Sequence, residues 1–493
     1  MKSYTLEITV FVSGAVVMML ELTGSRILAP FVGTSTFIWT SLIGVILGSL
    51  SLGYYHGGAR ADQDPSTKRL GQILFISGLA IGVVAVINQT VLGIVTQYFS
   101  SLRWSAAVSA CILFGPPAYL LGMVSPQAVR IRMNDITTAG TTIGRLYALS
   151  SLGSIFGTFL VGFYLMAWVG SRNILFILSV LTLLLSLLNF RNKETWGALA
   201  IFILAPFVQS FGKGSGLKVL DTEYSAIQIQ KIKYHDGKWV QIMKIGNEYS
   251  SGMYPDSDSL AFDYYHFYKL MLHYHPNPKE VLLIGGGALS VPKYFQKVYP
   301  GIHIDALEID PALTEIAKSD FRYVPSSSVR NIHEDGRIFL NHNKKQYDVI
   351  LGDAYRSLFS IPFHLVSKEA IGLMAGSLTN EGVLLINILS PVTGPKKDLI
   401  QSMIKTCQSV FPQVKAFKTT PNKPDERVQN IMLVCFKKAS GSFPTQVSPE
   451  IAGMLRQEVP LEKFDSDQGI VLTDDFAPVE HYAEKMLSNY FRK

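Results

Sequence analysis

Long apolar runs fill the part of this chain between Leu6 and Phe211, and they constrain its fold more than any other feature. A helix needs roughly 20 apolar residues to cross the hydrocarbon core of a bilayer, and most of the runs reach that length. The last run is short and contains Pro206, which makes it the weakest candidate. The sequence therefore predicts an α-helical membrane bundle of about seven helices over residues 1–212. The predicted spans are Leu6–Ala29, Phe37–His56, Ile73–Val95, Trp104–Met123, Leu146–Val169, Asn173–Phe190 and Trp196–Phe211.

The composition supports a membrane segment and gives no indication of a nucleic acid partner or a metal site. The chain of 493 residues is 48% apolar and only 16% charged, which is too apolar for an ordinary soluble protein. Its net charge of +7 requires no nucleic acid partner, because basic loops beside anionic lipid head groups account for it. The sequence has no CxxC motif and no Cys/His cluster, so we predict no metal site.

Basic residues indicate how the bundle is oriented, because they fall in alternate loops. The positive-inside rule places these loops in the cytoplasm. Seven crossings would leave the rest of the chain outside, where a nucleotide-type cofactor is scarce. We therefore predict an integral protein of the cell (inner) membrane with a cytoplasmic catalytic domain, which requires that the short seventh segment does not cross or that the count differs by one. The basic residues are Arg60, Lys68, Arg69, Arg130, Arg132, Arg145, Arg191 and Lys193.

The chain from Lys213 onward has the pattern of a soluble α/β protein. Strand-like segments flank Asp236-Gly237, a strong hairpin signal, and predict a small β unit over residues 213–259. Strands then alternate with helical segments over residues 260–440, which predicts a doubly wound parallel sheet whose last strand is left open as antiparallel. A polar tail follows over 441–493. The predicted strands are Val281–Ile284, Ile302–Glu308, Val329–His333, Tyr347–Leu351, Val383–Ile388 and Ile431–Phe436.

A glycine-rich turn and a series of acids at predicted strand ends indicate a nucleoside site. Glycines after the first strand allow the backbone to turn sharply and approach a ligand. The dinucleotide fingerprint is incomplete, because Ser290 occupies its third glycine position. Glu308 suits the ribose hydroxyls and Asp335 the adenine amino group, a combination that favours S-adenosylmethionine or a relative over NAD. The predicted cofactor-binding residues are Gly285, Gly286, Gly287, Glu308, Asp310, Asp335 and Gly336.

Asp353 ends the fourth predicted strand, next to the expected position of a reactive sulfonium. A carboxylate there could deprotonate or steer an attacking amine. Tyr264 and Tyr265 are predicted to join it in the catalytic site, although packing explains each tyrosine alone more readily, because the chain has 22 tyrosines. For His364, a structural contact within its loop and a place in the acceptor pocket are equally good interpretations. The predicted substrate-binding residues are Tyr355, Arg356, His364 and Asp475.

These motifs resemble the spermidine synthase (polyamine aminopropyltransferase) family, and most closely its members fused to an N-terminal multi-span domain. The resemblance implies a small N-terminal β unit followed by a Rossmann-like methyltransferase fold. It also implies transfer of an aminopropyl group from decarboxylated S-adenosylmethionine to an amine, with Glu308 on the ribose, Asp335 on the adenine and Asp353 as the base. The matching segments are ELTGSRILAPF from Glu21, IGGGA from Ile284, EIDP from Glu308, DGR from Asp335, YDVI from Tyr347 and LTDDFAPVE from Leu472.

Three positions depart from the pattern of the soluble synthases. Ala288 replaces an Asp that holds the aminopropyl ammonium, and Arg356 replaces a second Asp after the base. A family Gln is replaced near Ser250-Ser251. These changes leave nucleoside recognition intact and disfavour putrescine. A carboxylate-bearing donor, such as S-adenosylmethionine itself, or an anionic acceptor would suit Arg356 better.

The membrane segment adds two further predictions. Glu21 and Arg26 are ionisable residues in or near the first span, which is also too long for a cleaved signal peptide. They indicate either a polar pocket or a packed polar pair that fixes helix register. Glycine pairs at GxxxG spacing predict close helix packing. The pairs are Gly44 and Gly48, Gly53 and Gly57, and Gly153 and Gly157.

Several functions therefore stay open. The leading prediction is a membrane-bound, spermidine-synthase-like aminopropyltransferase, a transferase of polyamine biosynthesis. The first alternative is an S-adenosylmethionine-dependent methyltransferase acting on a membrane-associated substrate. The second is a transporter or sensor whose nucleoside-binding domain is regulatory. The predicted partners are a small-molecule amine or lipid-borne acceptor and membrane lipid, and a homodimer is left open.

Overall fold

The structure, a computed structural model, divides into two compact units, Met1–Ala226 and Ile227–Lys493. The predicted order of a helical bundle followed by an α/β fold is confirmed. The finer predicted boundaries at residues 212, 259 and 440 stay predictions. The residues described are 4–32, 36–99, 101–133, 135–190, 193–211, 217–234, 237–246, 248–354, 361–439, 443–444 and 446–487.

Helices form nearly all of the first unit, and their bounds follow the predicted spans. Within the described residues, six stretches are long and apolar enough to cross a membrane, and the seventh predicted span forms a further helix, α9. A π-helical turn at Val161–Leu165 joins α6 to α7. The helices are α1 (Thr5–Val32), α2 (Thr36–Gln63), α3 (Thr67–Tyr98), α4 (Leu102–Gly122), α5 (Val124–Arg132), α6 (Ala139–Leu160), α7 (Met166–Trp168), α8 (Ser171–Asn189) and α9 (Lys193–Phe211).

Glycines bring the backbones of neighbouring helices into close contact. A Cβ atom at Gly153 of α6 would overlap the carbonyl of Phe11 in α1, and one at Gly53 of α2 would overlap the carbonyl of Tyr119 in α4. Small residues at such positions allow helices to approach where larger side chains would hold them apart. The prediction of close packing is therefore correct for these two pairs. It is wrong for the third pair, which has nothing within 4 Å of an added Cβ: Gly44 and Gly48.

One end of the bundle carries a buried acid that is paired with two arginines. Glu7, in the first turn of α1, lies 3.3 Å from the guanidinium of Arg132 and 3.7 Å from that of Arg145. Glu7 is 7% exposed, and a buried charge without such partners would be strongly destabilising. Since Arg132 and Arg145 belong to the loops predicted to be cytoplasmic, Glu7 marks that end of the bundle.

Arg26 marks the opposite end, about 30 Å further along α1 at 1.5 Å per residue. Asp221 lies at the same end, because its carboxylate accepts the backbone N–H of Ser171, the first residue of α8, at 3.2 Å. The chain therefore leaves the first unit at the end opposite to Glu7. The choice between a polar pocket and a packed pair with Glu21 stays open for Arg26, which here packs against backbone carbonyls. Its guanidinium donates to the carbonyls of Met166, Thr222 and Glu223 at 3.2, 2.7 and 2.6 Å.

The predicted β-hairpin is confirmed, and it lies in a sheet with the strand order β1-β2-β3-β4. β2 and β3 are antiparallel with Lys233 opposite Trp239, and β4 continues the sheet on the other side of β3. Asp236 of the predicted turn lies outside the described residues. The strands of this region are β1 (Lys218–Asp221), β2 (Ala226–Lys233), β3 (Trp239–Ile245) and β4 (Glu248–Met253).

The main sheet has eight described strands in the order β12-β10-β11-β9-β8-β5-β6-β7. β5 to β9 are parallel, whereas β11 runs antiparallel to β9, so the predicted fold class is confirmed and the last predicted strand is antiparallel. Two strands at one edge, β10 and β12, were not predicted. The strands are β5 (Glu280–Ile284), β6 (His303–Leu307), β7 (Val329–Ile332), β8 (Tyr347–Gly352), β9 (Leu378–Ser390), β10 (Gln413–Lys418), β11 (Gln429–Phe436) and β12 (Glu458–Val459).

Helices separate the parallel strands and bury both faces of the sheet, which explains why β5 is apolar along nearly its whole length. β5 pairs with β6 on one side and β8 on the other, so the order in which the parallel strands are added to the sheet reverses there. Ligands of such sheets bind at the carboxyl ends of the strands beside the switch. The helices are α10 (Asp263–Phe267), α11 (Leu270–Tyr274), α12 (Ser290–Val298), α13 (Pro311–Asp320), α14 (Gly336–His342), α15 (Phe363–Val366), α16 (Lys368–Gly376), α17 (Asp398–Gln408), α18 (Pro449–Leu455) and α19 (Val479–Leu487).

Candidate active site

The glycine turn follows β5 directly, and two of its glycines are required by the backbone. Gly285 has a φ of 96°, and an added Cβ would lie 2.6 Å from the carbonyl carbon of Asp353. Gly287 has a φ of 51°, and its Cβ would lie 2.7 Å from Oγ of Ser251 in β4. Only glycine adopts such angles at low cost. The turn can therefore lie against both the end of β8 and the small β unit.

The backbone N–H groups of the turn are already bound within the protein. Gly285 and Gly286 both donate to the carbonyl of Leu307, at 3.0 and 2.9 Å. Gly287 donates to the Glu308 carboxylate at 2.9 Å, and Ala288 donates to Ser251 Oγ at 2.9 Å. A dinucleotide site instead aims such N–H groups at a pyrophosphate. This arrangement favours a nucleoside ligand that has no pyrophosphate, as the incomplete fingerprint predicts.

Glu308 lies at the carboxyl end of β6 and is half-buried. One carboxylate oxygen accepts the N–H of Gly287, and the other accepts the N–H of Asp310 at 3.1 Å. An ionised carboxylate has about four acceptor positions, which suits recognition of the two hydroxyls of a ribose. Asp310 is 2% exposed and caps α13 by accepting the N–H of Ala312 at 3.0 Å. The structure thus gives Asp310 a capping role, and its predicted contact with the cofactor stays a prediction.

Asp335 and His364 lie together beyond the carboxyl end of β7. Oδ1 of Asp335 caps α14 by accepting two backbone N–H groups, and Oδ2 lies 3.5 Å from Nε2 of His364. Gly336 begins α14, where an added Cβ would lie 2.9 Å from Cγ2 of Ile284 in β5. Two predicted site residues are therefore neighbours, with Asp335 Oδ2 oriented away from the helix cap.

The polar tail contacts this region through Asp474 rather than through the predicted Asp475. The Asp474 carboxylate accepts from the guanidinium of Arg337 and from the hydroxyl of Ser367, both at 2.5 Å. Asp475 is exposed. The LTDDFAPVE motif thus anchors the tail next to Asp335 through Asp474. No contact of Asp475 with this region is described.

Asp353 lies just beyond β8 and is held by neutral donors. Tyr264 Oη donates to Oδ2 at 3.1 Å, and Asn387 Nδ2 donates to Oδ1 at 3.1 Å. Burial raises the pKa of Asp353 to about 7, and the hydrogen bonds from Asn387, Tyr264 and Tyr268 oppose this rise. A carboxyl group that titrates near neutral pH is suited to accept a proton.

The tyrosines near Asp353 remain protonated. Burial, followed by the negative charge of Asp353, raises the pKa of Tyr264 well above its usual value and also raises the pKa of Tyr265. Tyr265 donates its hydroxyl to the carbonyl of Ser250 at 3.3 Å. Tyr264 therefore contacts the predicted base directly, whereas Tyr265 connects α10 to the small β unit.

The prediction omitted several residues of this site and included two that cannot be placed. Tyr355 and Arg356 lie outside the described residues. Asn387 and Ser251 were omitted, although each had a signal in the sequence. Asn387 is a polar residue inside the apolar run of β9, and the Ser251 position was noted only as a departure from the family. The other omitted residues are Tyr268 and Asn430.

Comparison with known proteins agrees with this geometry. The family model for the spermine/spermidine synthase domain matches residues 266–439. This part of the chain therefore resembles the spermine/spermidine synthase family. The match supports an enzyme domain of the aminopropyltransferase class. It covers β5 to β11 with Asp353 and Asn387, whereas Tyr264 lies just before it.

Individual relatives are more distant than the family match. A polyamine aminopropyltransferase of Vibrio vulnificus is 28% identical over 236 residues, which are 45% of this chain and 76% of that protein. Another from Streptococcus uberis is 28% identical over 175 residues, 34% of this chain and 59% of that protein. The spermidine synthase structure from Thermotoga maritima is 16% identical, covering 48% of this chain and 84% of that chain with a TM-score of 0.36.

Proposed function

We propose that this protein transfers an aminopropyl group from decarboxylated S-adenosylmethionine to an amine. The observation that carries the proposal is the position of Asp353, next to the glycine turn and held by neutral hydrogen-bond donors. In the same crevice, Glu308 suits the ribose and Asp335 suits the adenine. The family match supports this class of reaction.

The proposed chemistry needs one proton acceptor and no metal. The acceptor amine attacks the carbon bonded to the sulfonium, and the carbon–sulfur bond breaks with its electron pair on sulfur. Methylthioadenosine leaves as a neutral thioether. Asp353 takes the proton that the acceptor ammonium must lose before its nitrogen can attack, and the product amine carries the positive charge that was on sulfur. Tyr264 and Asn387 orient the two carboxylate oxygens, and burial keeps the pKa of Asp353 at about 7, near the pH at which the amine must be deprotonated.

One observation favours methyl transfer as the second candidate. Ala288 is 1% exposed, and its N–H is bound to Ser251, so this position offers no carboxylate to an aminopropyl ammonium. S-adenosylmethionine depends less on a protein carboxylate there, because its own carboxylate balances the charge of its ammonium. The identity of the nucleoside product separates the two reactions: methylthioadenosine reports aminopropyl transfer, and S-adenosylhomocysteine reports methyl transfer.

The sequence predicts that Arg356 selects against diamines, because a cation repels a second cation. We expect Arg356→Asp to raise kcat/KM for putrescine about tenfold relative to the acceptor that the unmodified protein prefers, as gain of one charge-assisted contact implies. Competition between putrescine and that acceptor in one reaction measures this ratio. An Arg356→Gln variant separates loss of repulsion from gain of attraction. An unchanged ratio in Arg356→Asp would remove Arg356 from acceptor selection.

We infer that the first unit spans the cell membrane. Six stretches have the length and hydropathy for this role, and their outward side chains include large apolar groups such as Leu47, Phe159 and Leu188. In water such a surface would cause aggregation, whereas in lipid it is the expected one. The acceptor is then either a soluble amine or a lipid-borne one.

The path of the chain also gives a prediction about sidedness. Residues 221–223 contact Arg26 and Ser171, at the end opposite to the basic loops. With those loops in the cytoplasm, we infer that α9 crosses and that the second unit follows on the other side, where the donor must then be available. This inference departs from the cytoplasmic placement predicted from the cofactor. We expect a cysteine at Leu217 to react with a membrane-impermeant maleimide in intact cells, and one at Asp64 to react only after permeabilisation, in a background without native cysteines. The reverse pattern would restore the cytoplasmic placement.

A product assay on the purified protein in lipid tests the reaction itself. Decarboxylated S-adenosylmethionine and S-adenosylmethionine are supplied separately, each with mixed amines and native lipids. Methylthioadenosine together with an aminopropylated product is the expected result. If nucleosides bind but neither nucleoside product forms, the transferase proposal fails and a transporter or sensor becomes the better account.

A further inference from the structure

Two amide side chains connect the middle of the main sheet to the Asp353 carboxylate. Asn387 on β9 donates from Nδ2 to Oδ1 of Asp353 at 3.1 Å. Asn430 on β11 donates from Nδ2 to Oδ1 of Asn387 at 2.9 Å. Asn387 is 5% exposed, and a buried amide is costly unless both of its ends are hydrogen-bonded. Here the two asparagines form what we call the amide relay.

The strand register brings the relay to the site. β8 and β9 are parallel with Gly352 opposite Ile386, so the next residues, Asp353 and Asn387, lie side by side at the carboxyl ends of these strands. β11 is antiparallel to β9 and brings Asn430 within reach of Asn387. Since neither contact is local in sequence, both depend on the sheet being intact.

The relay has a direction, because an amide side chain accepts at its oxygen and donates at its nitrogen. Asn430 donates to the oxygen of Asn387, which leaves the NH₂ group of Asn387 facing Asp353. A flipped Asn387 would instead place its carbonyl oxygen against the carboxylate and repel its charged form. Asn430 therefore determines whether Asp353 faces a donor or an acceptor.

The other groups around Asp353 make this donor important. In the described part of the chain, the titratable groups that face its carboxyl are Tyr264, Tyr265 and Tyr268, all of them hydroxyls rather than cations. The ionised form of Asp353 is therefore stabilised against burial by neutral hydrogen-bond donors. Loss of one such donor to a charged group has a larger effect than loss of an ordinary hydrogen bond.

We propose that Asn387 and Asn430 are positioning residues that keep an N–H donor on Asp353 and so maintain it as a proton acceptor near neutral pH. The proposal rests on the transferase function proposed above. Neither residue needs to touch the substrate. Asn387 acts on the carboxylate, and Asn430 acts through Asn387.

The test is the pH dependence of kcat/KM for the transfer reaction in relay variants of the full-length protein. Asn430→Leu removes the donor that orients Asn387 without adding charge, and Asn387→Leu removes the donor to Asp353. We expect both to move the acidic limb of the profile to higher pH, with a shift of about one unit, or tenfold in rate below the limb, in Asn387→Leu. Asn430→Asp, which nearly preserves shape, should shift it in the same direction if Asn430→Leu folds poorly. Asn331→Asp on β7 is the matched control and should leave the limb in place.

The proposal would be overturned if the rate fell equally at all pH values and the acidic limb did not move in either Asn387→Leu or Asn430→Asp. The amide relay would then be a purely structural feature. A second readout does not need turnover. The carboxyl of Asp353 can be titrated by infrared difference spectroscopy of the protein against its Asp353→Asn variant. If no transfer product forms but the relay variants still raise this pKa, the proposed reaction fails while the role of the relay stands.

Discussion

Replacing Asp353 with asparagine is expected to lower the rate of group transfer by about 10²–10⁴-fold, the range for loss of a general base. The substitution is nearly isosteric, so the hydrogen bonds of Tyr264 and Asn387 retain partners while the proton acceptor is lost. Nucleoside binding should persist, because Glu308 and Asp335 are unchanged. Steady-state rates measured together with calorimetric binding of methylthioadenosine separate these two effects.

Two controls accompany this experiment. Asp467→Asn removes an exposed carboxylate on the same unit and should leave the rate unchanged. Loss of methylthioadenosine binding in Asp353→Asn would instead show that the residue acts in binding. A rate within a few-fold of the unmodified protein, well short of the loss expected for a general base, would exclude Asp353 as the base.

Asp353 also makes the stability of the protein depend on pH in a predictable direction. Its pKa is about 7 in the folded protein, above the value of about 3.9 expected in an unfolded chain, so the folded state keeps a proton that the unfolded state has lost between these values. The free energy of unfolding should therefore fall as the pH rises from about 4 through 7. Asp353→Asn should remove this part of the decline, as measured by thermal unfolding across that range.

Replacing Gly285 with alanine is expected to destabilise the second unit by about 3 kcal/mol or more, from backbone strain and overpacking together. The φ of 96° is unfavourable for alanine, and the new Cβ would lie 2.6 Å from the carbonyl carbon of Asp353. This clash involves backbone and cannot be relieved by a rotamer change. Any folded protein should also lose activity, because relief of the clash moves Asp353. Thermal unfolding and the rate of transfer measure the two effects.

Gly372→Ala provides a matched control, because here the same substitution is expected to raise stability instead of lowering it. Gly372 lies inside α16, and an added Cβ there meets nothing within 4 Å. Alanine is favoured over glycine in a helix interior by about 1 kcal/mol, so this variant should be slightly more stable and fully active. If Gly285→Ala were as stable and active as Gly372→Ala, the close approach of β5 and β8 would have no role in the site.

The sequence predicts the parts of this structure that local patterns determine. Apolar runs locate the helices, alternating strands and helices locate the parallel sheet, and the glycines with Glu308 and Asp335 locate its functional edge. The two unpredicted strands show the limit of such patterns. β12 has only two residues, and β10 alternates polar and apolar residues at the edge of the sheet, where a strand is hard to distinguish from a loop.

The site residues that the sequence did not indicate depend on long-range contacts. Asn387 reaches Asp353 only through the pairing of β9 with β8, and Ser251 reaches the glycine turn only because β4 packs there. The same dependence explains Asp310, whose proximity to Glu308 in the chain suggested a ligand contact. In the structure its carboxylate caps α13. The chemistry of a site can be predicted from the residue types at strand ends. The hydrogen-bond partners of those residues cannot, because they depend on how the strands pair.

The measurement that tests the central claim most directly is the stoichiometry of the reaction on intact protein in lipid bilayers. Decarboxylated S-adenosylmethionine labelled in its aminopropyl group is incubated with amines, and both products are quantified over time. We expect one methylthioadenosine for each labelled amine formed, with both products lost together in Asp353→Asn. Methylthioadenosine without a labelled amine, or equal yields from Asp353→Asn and the unmodified protein, would contradict it.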